Sequence, residues 1–212
     1  MSILITISSF LGWLLIAACA VMKVPQITNI LKAKSGEGVS LSSFTIEIFL
    51  YAISFCYCFQ SEYPLSTYIE NCLLMIQNII IILLTLYYAK RIFDKKVIII
   101  SLIFVGFHFF LLIPYCPAVL LGFLQSCTTP MFLICKIPQI YQNWKMKDTG
   151  SLSLLMNIGL MCGNLIRVFT SFVEIGNDWM LISGFFVNAL LNLVIILQII
   201  FYEKKEEKEH NE

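Results

Sequence analysis

The chain uses one block of sequence twice. Met22-Lys23-Val24-Pro25-Gln26-Ile27 returns as Cys135-Lys136-Ile137-Pro138-Gln139-Ile140, 113 positions later. At the same offset Lys34 meets Lys147, Val39 meets Leu152 and Ser40 meets Ser153, without a gap. Two gap-free copies imply two copies of one structural unit, which constrains the architecture before local detail does. Each copy closes one apolar run and leads into another. A proline there removes a backbone hydrogen bond and kinks the helix that carries it. Inside a membrane such kinks are tolerated where they line a cavity or pack on protein.

The solvent is set by composition. Of 212 residues, 59% are hydrophobic and 13% charged, against about a quarter charged in soluble domains. This is an integral membrane protein, and its net charge of +1 argues against a nucleic-acid partner. A span needs about 20 mostly apolar residues. The first predicted span is charge-free from Ile3 to Met22 and continues through Pro25 to Leu31. A cleaved signal peptide is the rival reading there, since Ala18-Cys19-Ala20 resembles a cleavage site. No basic residue precedes the apolar run, so we expect the span to be retained. The second runs from an N-cap at Ser42 or Ser43 to about Gln60 and carries Glu47. The third, from about Leu65 to Ala89, carries Glu70, Gln77 and Asn78. Val97 to Cys135 is free of Asp, Glu, Lys and Arg, and Pro114 and Pro117 divide it into a fourth and a fifth span. Pro130 and Pro138 are expected to interrupt the fifth, which ends near Trp144. The sixth, from about Leu152 to Val173, holds Asn157, Asn164 and Arg167; the seventh, from about Trp179 to Tyr202, holds Asn188, Asn192 and Gln198.

The expected fold is an all-α membrane protein of seven transmembrane helices, two parallel three-helix repeats joined by a linker helix (3+1+3). Repeat 1 takes residues 3–89, the linker helix 97–113, repeat 2 118–202, and a charged tail 203–212. The repeats are parallel because their offset spans four helices, an even number. Odd-numbered connections and the tail hold eleven Lys and Arg, among them Lys32, Lys34, Lys90, Arg91, Lys145 and Lys147. The N-terminus and even-numbered connections hold none. That asymmetry puts the N-terminus outside or lumenal and the C-terminus in the cytosol.

Five ionisable groups fall at membrane depth: Lys23, Glu47, Glu70, Lys136 and Arg167. Each is costly there unless paired or hydrated, and so marks a candidate site. Lys23 lies about 12 Å and Glu47 about 8 Å from the same membrane face at 1.5 Å per residue, a difference a lysine stem covers. Glu70 and Arg167 have similar depths from the opposite face. Lys136 finds Leu160 where the counterpart of Glu47 would stand. These charges either hold helices together or wall a cavity for an anionic or sugar-like group. The same choice holds for Gln77 and Asn192, the favoured cavity residues among the carboxamides, and for Asn78 and Asn188. The eight cysteines read as small packing residues, and His108 as a lone histidine in an aromatic run. No nucleotide loop, no Ser/His/Asp order and no paired acid residues in a loop between spans appear, and Cys56 and Cys58 point to different helix faces, so no catalytic residue, metal or cofactor is expected.

The doubled Pro25-Gln26 and Pro138-Gln139, with Gly38-Val39-Ser40-Leu41 and Thr149-Gly150-Ser151-Leu152-Ser153 after them, resemble the PQ-loop family of seven-helix membrane proteins. That family is related to sugar-transporting SWEET proteins and lysosomal amino-acid exporters. Arg167-Val168-Phe169-Thr170-Ser171, Asn192 and Gln198 are similar to the branch that serves mannose-phosphate-dolichol utilization. The full Pro138-Gln139 departs from that branch, which has lost the second proline. The resemblance implies Pro25, Gln26, Pro138 and Gln139 as hinges. It also implies an endoplasmic reticulum protein, not an enzyme, needed for lumenal use of mannose- and glucose-phosphate-dolichol. Lipid-linked oligosaccharide, N-glycan and GPI-anchor synthesis depend on those donors. A small-solute transporter for a sugar or amino acid, and a scaffold for glycosyltransferases, are the alternative readings.

Overall fold

Apolar runs bounded by short polar turns fold as helices throughout. The computed structural model describes residues 2–37, 39–113, 116–147, 149 and 154–209. The first span is two helices, α1 (Ser2–Met22) and α2 (Val24–Ala33), broken only at Lys23. Pro25 lies in the first turn of α2, where its missing N–H costs nothing. α3 (Leu41–Gln60) is capped by Ser40 rather than by the expected Ser42 or Ser43. Ser40 has extended backbone and its Oγ accepts from Ser43 N at 3.4 Å, whereas Ser42 and Ser43 already lie within the helix. The expected third span opens with a 3-10 turn at Leu65–Thr67 before α4 (Ile69–Tyr88). α5 (Lys95–Leu112) follows.

α6 (Ala118–Met146) corrects an expectation. It runs unbroken through both Pro130 and Pro138. Each proline deletes one bond of the ladder, and the neighbouring turns and small local adjustments keep the helix continuous. α7 (Leu154–Glu174) begins after the expected start at Leu152, which lies outside the described residues with Pro114, Gly38 and Gly150. The turn after it uses Gly176 at φ 85, a conformation glycine adopts freely. α8 (Trp179–Glu209) passes Tyr202, so the tail expected to begin at 203 starts as a continuation of this helix. Among the described residues seven helical spans are long and apolar enough to cross a membrane, and no strand occurs.

The chain forms two compact units, Met1–Gln125 and Ser126–Glu212, divided within α6 rather than before it. In the first, α1 and α2 pack on α4, and α3 packs on α4 and α5. Ile53, Cys56, Leu111, Cys116 and Leu121 form its apolar core. In the second, α7 lies along α8, and hydrogen bonds tie α6 to α8. Both units are polar within and apolar without. Asn78, Gln77, Arg167 and Asn192 are buried while Phe10, Trp13, Leu102 and Phe201 are exposed, as a lipid solvent requires.

Candidate functional site

In an uninterrupted helix the Lys23 N–H would bond the Cys19 carbonyl. At the break, Gln77 of α4 serves both groups. Lys23 N donates to Gln77 Oε1 at 3.0 Å, and Gln77 Nε2 donates to Cys19 O at 2.9 Å. One carboxamide, carrying both a donor and an acceptor, bridges the interrupted ladder.

The break also fixes where the Lys23 side chain goes. Its Nζ lies 2.5 Å from Glu47 Oε2 on α3, the partner its depth predicts, and donates to Asn78 Oδ1 at 2.6 Å. Asn78 Nδ2 donates to the same carboxylate oxygen at 2.9 Å. The Phe44 ring faces the ammonium at 4.8 Å, within cation–π range. Carboxylate, amide and ring thus surround the Lys23 charge.

The second unit repeats part of this. Lys136 Nζ on α6 donates to Asn192 Oδ1 on α8 at 2.6 Å, and Asn192 Nδ2 donates to Asn188 O at 2.9 Å. Lys23 and Lys136 are 113 positions apart, but Asn78 and Asn192 are 114 apart. Asn192 is therefore the counterpart of Asn78, and Leu191 stands where Gln77 would. With no carboxamide to bridge a gap, α6 is continuous past Lys136. Among the described residues no carboxylate lies within 4.0 Å of the Lys136 ammonium. One turn further along α6, Gln198 Nε2 donates to Ile140 O at 2.9 Å, and about two turns from Lys136, Asn143 Nδ2 donates to Gln198 Oε1 at 3.1 Å.

The two motif copies that carry Lys23 and Lys136 are matched in known proteins. The family model of the PQ loop repeat matches residues 7–67 and 120–180. The chain belongs to the PQ-loop repeat family. Its PQ-loop segments stop short of α4 and of most of α8. The residues that meet the two lysines from those helices lie outside the matched stretches. Solute carrier family 66 member 3 of Homo sapiens is similar, 24% identical over 193 residues, 91% of this chain and 93% of that protein.

Other candidate residues are placed differently. Glu70 is buried in the first turn of α4, where the positive end of the helix supports a carboxylate, and Cys19 Sγ lies 3.9 Å from its Oε2. Arg167 is buried in α7 of the other unit. Pro25 and Pro138 are exposed and Gln26 and Gln139 half-buried, and none enters the bonds described. Asn78 makes the interhelical bonds that were one of its two expected roles, and sequence reasoning missed the Asn143–Gln198 pair. It also missed the Cys56 Sγ to His108 Nδ1 contact at 3.8 Å. Helical spacing of Asn143 and Ile140 on one face was the available signal for the second of these.

Proposed function

We propose that this PQ-loop protein is a membrane binding factor or carrier rather than an enzyme, and that Lys136 holds the anionic group of its ligand. One observation carries this: Lys136 donates to a neutral amide and faces no described carboxylate, whereas its twin Lys23 meets Glu47. An ammonium at membrane depth is costly until a counter-charge arrives. The specific reading, supported by the resemblance of its motifs, is lumenal use of mannose-phosphate-dolichol and glucose-phosphate-dolichol in the endoplasmic reticulum. The protein would bind, present or flip the lipid. A phosphate on a polyprenyl chain joins a charge for Lys136 to a tail that dissolves in the bilayer.

The test is binding of dolichol-phosphate-mannose to the purified protein in nanodiscs. A charge-assisted hydrogen bond is worth about 1.5–3 kcal/mol, so Lys136→Ala is expected to weaken binding about tenfold or more. Lys136→Arg should keep most of the affinity. Equal affinity in Lys136→Ala overturns the assignment. A second reading, transport of a small sugar or amino acid, is favoured by the solute-carrier name of the human relative. Uptake of such a solute by proteoliposomes, without dolichol-phosphate-mannose binding, would select it. Co-purification with glycosyltransferases and no ligand binding at all would instead mark a scaffold.

A further inference from the structure

The loop between α2 and α3 closes over the end of α4 and leaves an opening of about 260 Å³, lined by Lys34, Ser35, Gly36, Glu37, Thr85 and Tyr88. The loop lies very close to α4. A Cβ on Gly36 would overlap the Thr85 methyl, so only glycine permits the approach. Lys34 turns the chain off α2 at φ 48, and Glu37 N donates to Ser35 Oγ at 3.1 Å, leaving the Ser35 O–H to donate elsewhere.

Thr85 supplies the second observation. A helical threonine commonly returns its hydroxyl to a carbonyl one turn back, as Thr45 does to Leu41 O at 2.8 Å. Thr85 does not: it is 5% exposed, lines the opening, and its Oγ1 has no hydrogen-bond partner among the described residues. Buried polar groups are nearly always satisfied, so an exception calls for a missing partner. At the rim, Lys34 and Glu37 are exposed charges of opposite sign, and neither enters an ion pair among the described residues. The volume falls below the roughly 300 Å³ at which pockets begin to take drug-sized ligands. The opening therefore suits a small group carrying both charges. Ala89 also lines it, and Lys90 and Arg91 follow in the chain just past α4, as basic residues do where a span meets the headgroup layer.

We propose that this opening binds a zwitterionic headgroup of the phosphoethanolamine type. The phosphate accepts from Thr85 Oγ1, Ser35 Oγ and the Lys34 ammonium, and the primary ammonium donates to the Glu37 carboxylate. This site shares no residue with the Lys136 contact and is independent of the function proposed above.

The experiment is a thermal-shift titration of the delipidated full-length protein in detergent. The probes are short-chain phosphatidylethanolamine, phosphatidylcholine of equal chain length, and soluble glycerophosphoethanolamine. Phosphatidylethanolamine should raise Tm, and phosphatidylcholine, whose quaternary ammonium has no N–H to donate, should do so much less. A response to glycerophosphoethanolamine as well identifies a free ligand as sufficient, and a response to the lipid alone identifies the bilayer as the source. Thr85→Val removes the hydroxyl and keeps the shape. Without probe its Tm should equal or exceed wild type, and the apparent Kd for phosphatidylethanolamine should rise at least tenfold. Glu37→Gln, at an exposed position, should erase the preference over phosphatidylcholine. The proposal is overturned if no probe shifts Tm or if both lipids shift it equally. It also fails if Thr85→Val binds like wild type, or melts lower without probe because the hydroxyl has an internal partner.

Discussion

Two adjacent residues of α4 divide the work at the first break: Gln77 serves the backbone and Asn78 serves the charge. Gln77→Leu removes two interhelical bonds, each worth roughly 0.6–2 kcal/mol in a membrane protein. We expect a loss of about 1–4 kcal/mol, read as a lower Tm, and no change would mean that the bridge is energetically idle. Glu47→Gln leaves the Lys23 ammonium with neutral partners only. Glu47 is 37% exposed, so the cost should fall below the roughly 3–5 kcal/mol of a fully buried pair. The double change Lys23→Leu with Glu47→Leu should recover most of it, as a melting series would show. The Lys23–Glu47 pairing was legible in sequence because charge and depth restrict partners. The assignment of Asn192 to Asn78 was not. It turns on a one-residue shift between α4 and α8, which a motif-anchored offset hides and a neutral side chain does not reveal.

Among the elements, the contrast lies between the first span and α6, which carry the same motif and differ in continuity. A proline in a helix interior costs about 3 kcal/mol, but almost nothing in a first turn. Pro138→Ala is therefore expected to raise stability by up to about 3 kcal/mol, and Pro25→Ala to change it little. Equal effects in thermal melts would contradict the assignment of Pro25 to a helix start. The proline rule alone predicted interruption in both copies. What it lacks is the neighbour: a break persists where a side chain such as Gln77 satisfies the freed groups, and Leu191 offers nothing of the kind. The extension of α8 past Tyr202 was similarly hidden. The end of an apolar run marks where lipid stops, while Glu and Lys continue a helix well.

For the whole molecule, seven spans could be read from the lengths of apolar runs, because lipid leaves few alternatives to helices. The division at Gln125–Ser126 could not, since it falls inside a continuous helix with no change in composition. The distribution of Lys and Arg predicts a lumenal N-terminus and a cytosolic C-terminus. An acceptor sequon added at the N-terminus should be glycosylated in microsomes and one added at the C-terminus should not, and the reverse pattern would refute the orientation. The two repeat lysines differ in net charge around them: Lys23 with Glu47 sums to zero, and Lys136 with Asn192 to one positive charge. A membrane voltage acts on an elementary charge crossing it with about 2.3 kcal/mol per 100 mV, and on a neutral pair hardly at all. Any step that shifts Lys136 along the field without an accompanying anion would thus be sensitive to voltage. Under the function proposed above, a monoanion held by Lys136 would cancel that charge, and a step that carries the two together along the field would then have no electrical cost.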